Sequence, residues 1–202
     1  MGMKLRRTIL ILTALAVVTA FGLWRSGLTG LWTQGISYIA NNTQEFSDKE
    51  GYPIEETYSL SINLTDLKSN IGKELYNDGK HRVYVYYADH GNGSDGGYEI
   101  GFRSCGAYSL SGASLISGLH HHTLDEHLFA TDMIAQITVQ YEAENYTGSM
   151  VGASGLNYKD GDDFLIYLPP LETQGNDEAA LEEPGIVQVD ISGLYMNRWT
   201  KI

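Results

Sequence analysis

Between Tyr58 and Leu64 the chain alternates: Tyr58, Leu60, Ile62 and Leu64 are apolar, and Ser59, Ser61 and Asn63 are polar. A period of two suits a strand with one buried and one wet face, and a helix cannot segregate it. Val83–Tyr87, Tyr98–Phe102, Ile134–Tyr141, Phe164–Leu168 and Ile186–Ile191 follow as further β-branched and aromatic runs, each bounded by Gly, Asp or Pro. Asn77-Asp78-Gly79 and Lys159-Asp160-Gly161 supply turn chemistry, with Gly where φ must be positive. About seven strands and few helices predict an all-β domain, an antiparallel sandwich or open barrel.

One helix carries a local signal. Thr123-Leu124-Asp125-Glu126 has the form of a capping box, Thr at the cap and Glu three positions on. This predicts a short helix over 124–130, with Leu124 and Leu128 facing the core. In that frame His122 and His127 hold the staple positions and touch.

The N-terminus predicts the compartment. Lys4, Arg6 and Arg7 precede an apolar run from Thr8 to Trp24, and the next charge is Arg25. A basic flank before an apolar run marks a signal anchor or a cleavable signal peptide, with the basic end kept inside. As a helix the run rises about 25 Å, near the lower limit for crossing a hydrocarbon core. Cleavage would fall near Val18-Thr19-Ala20 or Ala20-Phe21-Gly22. No Cys lies near the end of the run, which excludes an N-terminal lipid attached there. The expected organisation is residues 1–25 as signal or anchor, 26–53 as juxtamembrane segment and linker, and 54–202 as an exported, extracytoplasmic domain.

Charge and composition narrow the partners. Four of 13 bases and none of 25 acids fall in the first 25 residues, which leaves the body with 9 bases and a net charge of −16. Nucleic acid is excluded as a partner, because phosphate contacts need a basic surface. A single cysteine, Cys105, excludes an internal disulfide framework. Asn-x-Ser/Thr sequons at Asn41, Asn63, Asn92 and Asn145 are glycosylation sites in a host with the machinery. Between Ser26 and Gln44 there is no charge, and Leu28, Leu31, Trp32, Ile36 and Ile39 recur at helical spacing. That stripe suits a membrane surface, a partner subunit, or a tether tucked onto the domain.

Several residues could carry chemistry. His120, His122 and His127 with Glu126 offer ligands for a transition metal, although neither His-Glu-x-x-His nor His-x-x-Glu-His occurs. Asp89 and Asp95 in a Gly-rich loop, and Asp160, Asp162 and Asp163 at a hairpin tip, offer oxygens for calcium without EF-hand spacing. Cys105 needs a neighbouring base to act as a nucleophile, and His81, His90 and His120 are the candidates that spacing cannot place beside it. The Ser-rich run Tyr108–Ser114 contains no Gly-x-Ser-x-Gly elbow, and no phosphate loop or dinucleotide fingerprint occurs. The 14 tyrosines suit a surface that contacts protein or glycan.

The sequence therefore predicts a membrane-anchored cell-surface or envelope protein with a non-catalytic binding or assembly role. The alternative is an extracytoplasmic enzyme using the His cluster or calcium, or a carbohydrate-binding domain. Calcium or a transition metal is the cofactor class these residues would take.

Overall fold

The computed structural model describes residues 2–91, 96–125, 128–141, 144–170 and 185–202. Three helices open it: α1 (Gly2–Arg25), α2 (Leu28–Gln34) and α3 (Ile36–Asn41). The strands are β1 (Phe46–Ser47), β2 (Tyr52–Pro53), β3 (Tyr58–Asn63), β4 (Glu74–Asn77), β5 (Arg82–His90), β6 (Tyr98–Cys105), β7 (Ala107–Ser109) and β8 (Gly112–Ser117). They continue as β9 (Leu119–Asp125), β10 (Leu128–Met133), β11 (Gln136–Tyr141), β12 (Glu144–Ala153), β13 (Gly161–Leu168), β14 (Ile186–Ser192) and β15 (Tyr195–Lys201). A 3-10 turn over Leu67–Asn70 joins β3 to β4.

All sheet pairings are antiparallel, as alternation with short connections dictates. The main sheet has eight strands in the order β3-β14-β11-β12-β13-β6-β5-β4 and curls into a nearly closed barrel. Across its seam Tyr58 of β3 and Tyr76 of β4 meet edge to face, ring centroids 5.2 Å apart. Lys73 bridges the same seam, its ammonium donating to the Ser61 carbonyl at 2.7 Å. The period-2 residues Ile62, Val83, Val85, Ile100, Phe102, Val139, Phe164, Ile166 and Val189 fill the interior.

A second sheet, β1-β15-β8-β7 with β2 on β15, lies against this barrel. Ile116 joins the barrel core, whereas Ala113, Leu115 and Trp199 build a second core with Ile36, Ile39 and Ala40 of α3. Residues 36–53, within the 26–53 segment expected as juxtamembrane segment and linker, carry α3, β1 and β2, with Ile36, Ile39 and Phe46 buried. The expected continuous stripe is broken at Gly35. Its φ of 61° is open to glycine, and an added Cβ would run into the Lys159 carbonyl. Ile36 and Ile39 are buried and Leu31 packs against them, while Leu28 and Trp32 remain exposed.

The helix expected over 124–130 is not formed. Leu119–Asp125 and Leu128–Met133 pair as a two-stranded antiparallel hairpin, with Thr123 opposite Phe129. Thr123 caps nothing as a helix start; its amide donates to Asp48 Oδ2 at 2.6 Å. The capping box is a local preference of about 1 kcal/mol, and here cross-strand pairing outweighs it. The turn itself, with Glu126 and His127, lies outside the described residues.

Candidate functional site

The tight β4–β5 turn builds one constellation. Asp78 accepts from the amides of Lys80 and His81, and Gly79, at φ 82°, lets the chain reverse. The second carboxylate oxygen of Asp78 is 2.8 Å from His81 Nδ1, and His81 Nε2 is 2.8 Å from Ser114 Oγ on β8. A carboxylate can only accept, so Nδ1 carries the proton, and in the neutral ring Nε2 is then the acceptor for the Ser114 hydroxyl. Burial pushes the Asp78 carboxyl up, but hydrogen bonds from the His81 ring and from the His81 and Lys80 amides outweigh it and hold it well below the usual range.

His81 and Ser114 are almost wholly buried, yet both line a groove of about 500 Å³ along the second sheet. Tyr52, Tyr108, Ser109, Ser111, Lys80 and Arg198 line it further. Its lining includes the cations Lys80 and Arg198, and Arg198 Nε stands 3.4 Å from Glu50 Oε2. Cys105 is elsewhere. Burial and Asp160 push its thiol up, and His81 is committed to Ser114 and Asp78, so the geometry does not support a thiolate nucleophile there.

The β9–β10 hairpin builds a second constellation. His120 and His122, two apart, share one face of β9, and Asp132 sits directly opposite His120 on β10. One ligand atom from each lies within 4.8 Å of the others. The two rings stack with centroids 4.8 Å apart, and Tyr195 covers His120 at 4.1 Å. Burial, then the neighbouring His122, lower the basicity of His120, which favours the neutral ring that a metal requires. His122 Nδ1 is enclosed and finds no hydrogen-bond partner among the described residues; Asp132 Oδ2 stands 3.7 Å away.

The remaining candidates are dispersed. Asp160, Asp162 and Asp163 do not converge on a calcium site. Asp160 pairs with Arg103 at 2.8 Å, Asp162 with buried His121, and Asp163 accepts from Tyr158 at 2.9 Å. Consecutive strand residues point to opposite faces, which separates the last two. Asp89 is exposed at the end of β5, and Asp95 lies outside the described residues. Asn41 and Asn145 are exposed, Asn63 Oδ1 accepts from the Thr65 and Asp66 amides just before the 3-10 turn, and Asn92 lies outside the described residues. Sequence reasoning missed Asp78, Ser114 and Asp132. Asp78 was legible only as a turn residue, and the other two acquire partners through strand pairing and sheet stacking.

No protein-family model, curated protein or solved structure matches this chain. The fold and its exposed helix define a class by themselves: a β-rich antiparallel domain preceded by one apolar helix. Arg6–Arg25 of that helix is long and apolar enough to cross a membrane, and none of it is buried against the domain.

Proposed function

We propose that this chain is a membrane-tethered, extracytoplasmic domain with a binding or assembly role. The carrying observation is the coupling of α1 to the body. Its apolar side chains from Ile9 to Trp24 are exposed, and only Ser26 and Gly27 separate it from α2. The chain then locks down at once: the Ile36 amide donates to the Lys159 carbonyl at 2.8 Å, and Ile36 and Ile39 are buried. With α1 in a bilayer, so short a connection holds the body at the membrane surface. Leu28, 40 % exposed, and Trp32, 76 % exposed, then fall at the interface, where amphipathic aromatics are favoured. Exposed Tyr52, Tyr86 and Tyr108 suit contact with a protein subunit or a glycan. Exposed Asn41 and Asn145 would carry glycans in a host that glycosylates. Protease added to intact cells is expected to remove the acidic body and leave a membrane-bound N-terminal fragment. A protected body that fractionates with cytosol sinks the proposal.

A second reading, transition-metal binding, is favoured by the His120, His122 and Asp132 cluster. Two imidazoles and a carboxylate with an open side suit zinc, copper or cobalt. Cobalt added to the full chain is expected to give visible absorption that is lost in His120→Ala with His122→Ala. A colourless titration ends this reading.

A further inference from the structure

Ser114 on β8 and His81 in the β4–β5 turn are 33 residues apart in sequence, yet they meet at 2.8 Å on the edge of a groove. Three conditions for an activated serine coincide there. A base reaches the hydroxyl; a carboxylate holds that base with Nδ1 protonated and Nε2 free to accept; and space beside both groups admits a substrate. Asp78 does not wander, because backbone amides of its own turn grip its other oxygen. A purely structural clasp between turn and sheet needs no groove beside it.

We propose that Ser114 is a nucleophile that cleaves esters of carboxylic acids bearing a second, anionic group. His81 is its general base and acid, Asp78 the positioning residue, and Lys80 the seat of the anion, joined by Arg198 where the substrate anion displaces Glu50. The Ser114 oxygen bonds to the acyl carbon while the carbonyl π pair moves onto its oxygen, and the hydroxyl proton passes to His81 Nε2. The tetrahedral adduct reforms its carbonyl, the bond to the alcohol oxygen breaks, and the alcohol leaves with the proton from His81. Water then repeats the attack on the acyl-serine, giving its proton to His81. The carboxylic acid leaves, and Ser114 recovers its proton. Ester and water become acid and alcohol, with no other reactant. The Asp78 carboxylate, hydrogen-bonded to Nδ1–H, stabilises the imidazolium in both halves.

The test treats the full chain, in detergent, with a fluorophosphonate probe, in which the serine oxygen displaces fluoride from phosphorus. One probe per chain is expected, on the peptide that carries Ser114. Ser114→Ala is expected to abolish labelling, and His81→Gln to slow it on the order of 1000-fold. A wild-type chain that stays unlabelled in excess probe overturns the proposal without recourse to any variant. Labelling that persists in Ser114→Ala overturns it as well. For the anion, p-nitrophenyl hemisuccinate is compared with p-nitrophenyl acetate. Preferential turnover of the hemisuccinate, with KM raised and kcat kept in Lys80→Gln with Arg198→Gln, supports the assignment, and equal turnover overturns that part. Labelling in detergent is blind to membrane sidedness, so its failure leaves the tether proposal standing.

Discussion

His121 Nε2 and Asp162 Oδ2 lie 2.6 Å apart, and neither side chain has any contact with solvent. The remaining side-chain polar atoms of the pair are engaged too. His121 Nδ1 meets Thr131 Oγ1 at 2.9 Å, the His121 amide donates to Asn197, and Asp162 accepts from Ser117 at 2.9 Å. The network joins β8, β9, β10, β13 and β15 where the barrel, the second sheet and the hairpin meet. Removing one partner leaves a buried polar group unmet, so His121→Ala or Asp162→Ala is expected to cost about 3–5 kcal/mol in urea denaturation of the full chain in detergent. The double substitution to leucines is expected to recover part of that loss. A cost under about 1 kcal/mol for either single variant contradicts this role.

Gly35 separates the exposed α2 from the buried α3. Gly35→Ala places a Cβ against the Lys159 carbonyl at a positive φ. Backbone strain of this kind costs about 1–3 kcal/mol. The loss should appear as local release of 36–41, read by hydrogen exchange at the Ile36 amide, whose acceptor is that same carbonyl. Unchanged protection of Ile36 speaks against the latch.

Strand and helix at Thr123 make opposite forecasts. In the hairpin the Thr123 amide donates to Asp48, so Asp48→Ala is expected to lower stability by about 1 kcal/mol and Thr123→Ala by less. A helix cap reverses the order. Thermal melts of the two variants side by side decide between them.

The Asp78 carboxyl is held low in the folded state by the His81 ring and turn amides, against the pull of burial. In the unfolded chain it returns to about 4. Its contribution to stability is therefore complete above that value and lost as pH falls through the lower, folded value. The melting-temperature difference between wild type and Asp78→Asn is expected to be full at pH 6 and to shrink steadily below about pH 4. A difference that holds constant into strong acid contradicts the assignment.

If the hairpin histidines hold a metal, both imidazoles must be neutral to ligate. Zinc is then expected to raise the melting temperature at pH 7.5, a chelator to reverse the gain, and the gain to vanish at pH 5. A zinc response that survives at pH 5 points to other ligands.

Much of this protein is written locally. Alternation from Tyr58 to Leu64 and the runs around Val83, Tyr98 and Phe164 specified strands, because side-chain period and burial are nearest-neighbour properties. Asn77-Asp78-Gly79 specified a reversal through the one residue that accepts positive φ without strain. The uninterrupted apolar run from Thr8 specified a helix that could cross a membrane. Partnership was not local. The capping box at Thr123 yielded to strand pairing, since about 1 kcal/mol of end preference loses to a hairpin whose strands also pack tertiary neighbours. Asp132 faces His120 only through the β9–β10 register, and His81 reaches Ser114 only because the second sheet packs against the barrel. Ile36 and Ile39 are core rather than surface because α3 covers Leu115 and Trp199. A sequence encodes dihedral preference and periodicity along the chain; which distant residues touch is decided by register, sheet order and loop closure, and these are set by the whole packed fold.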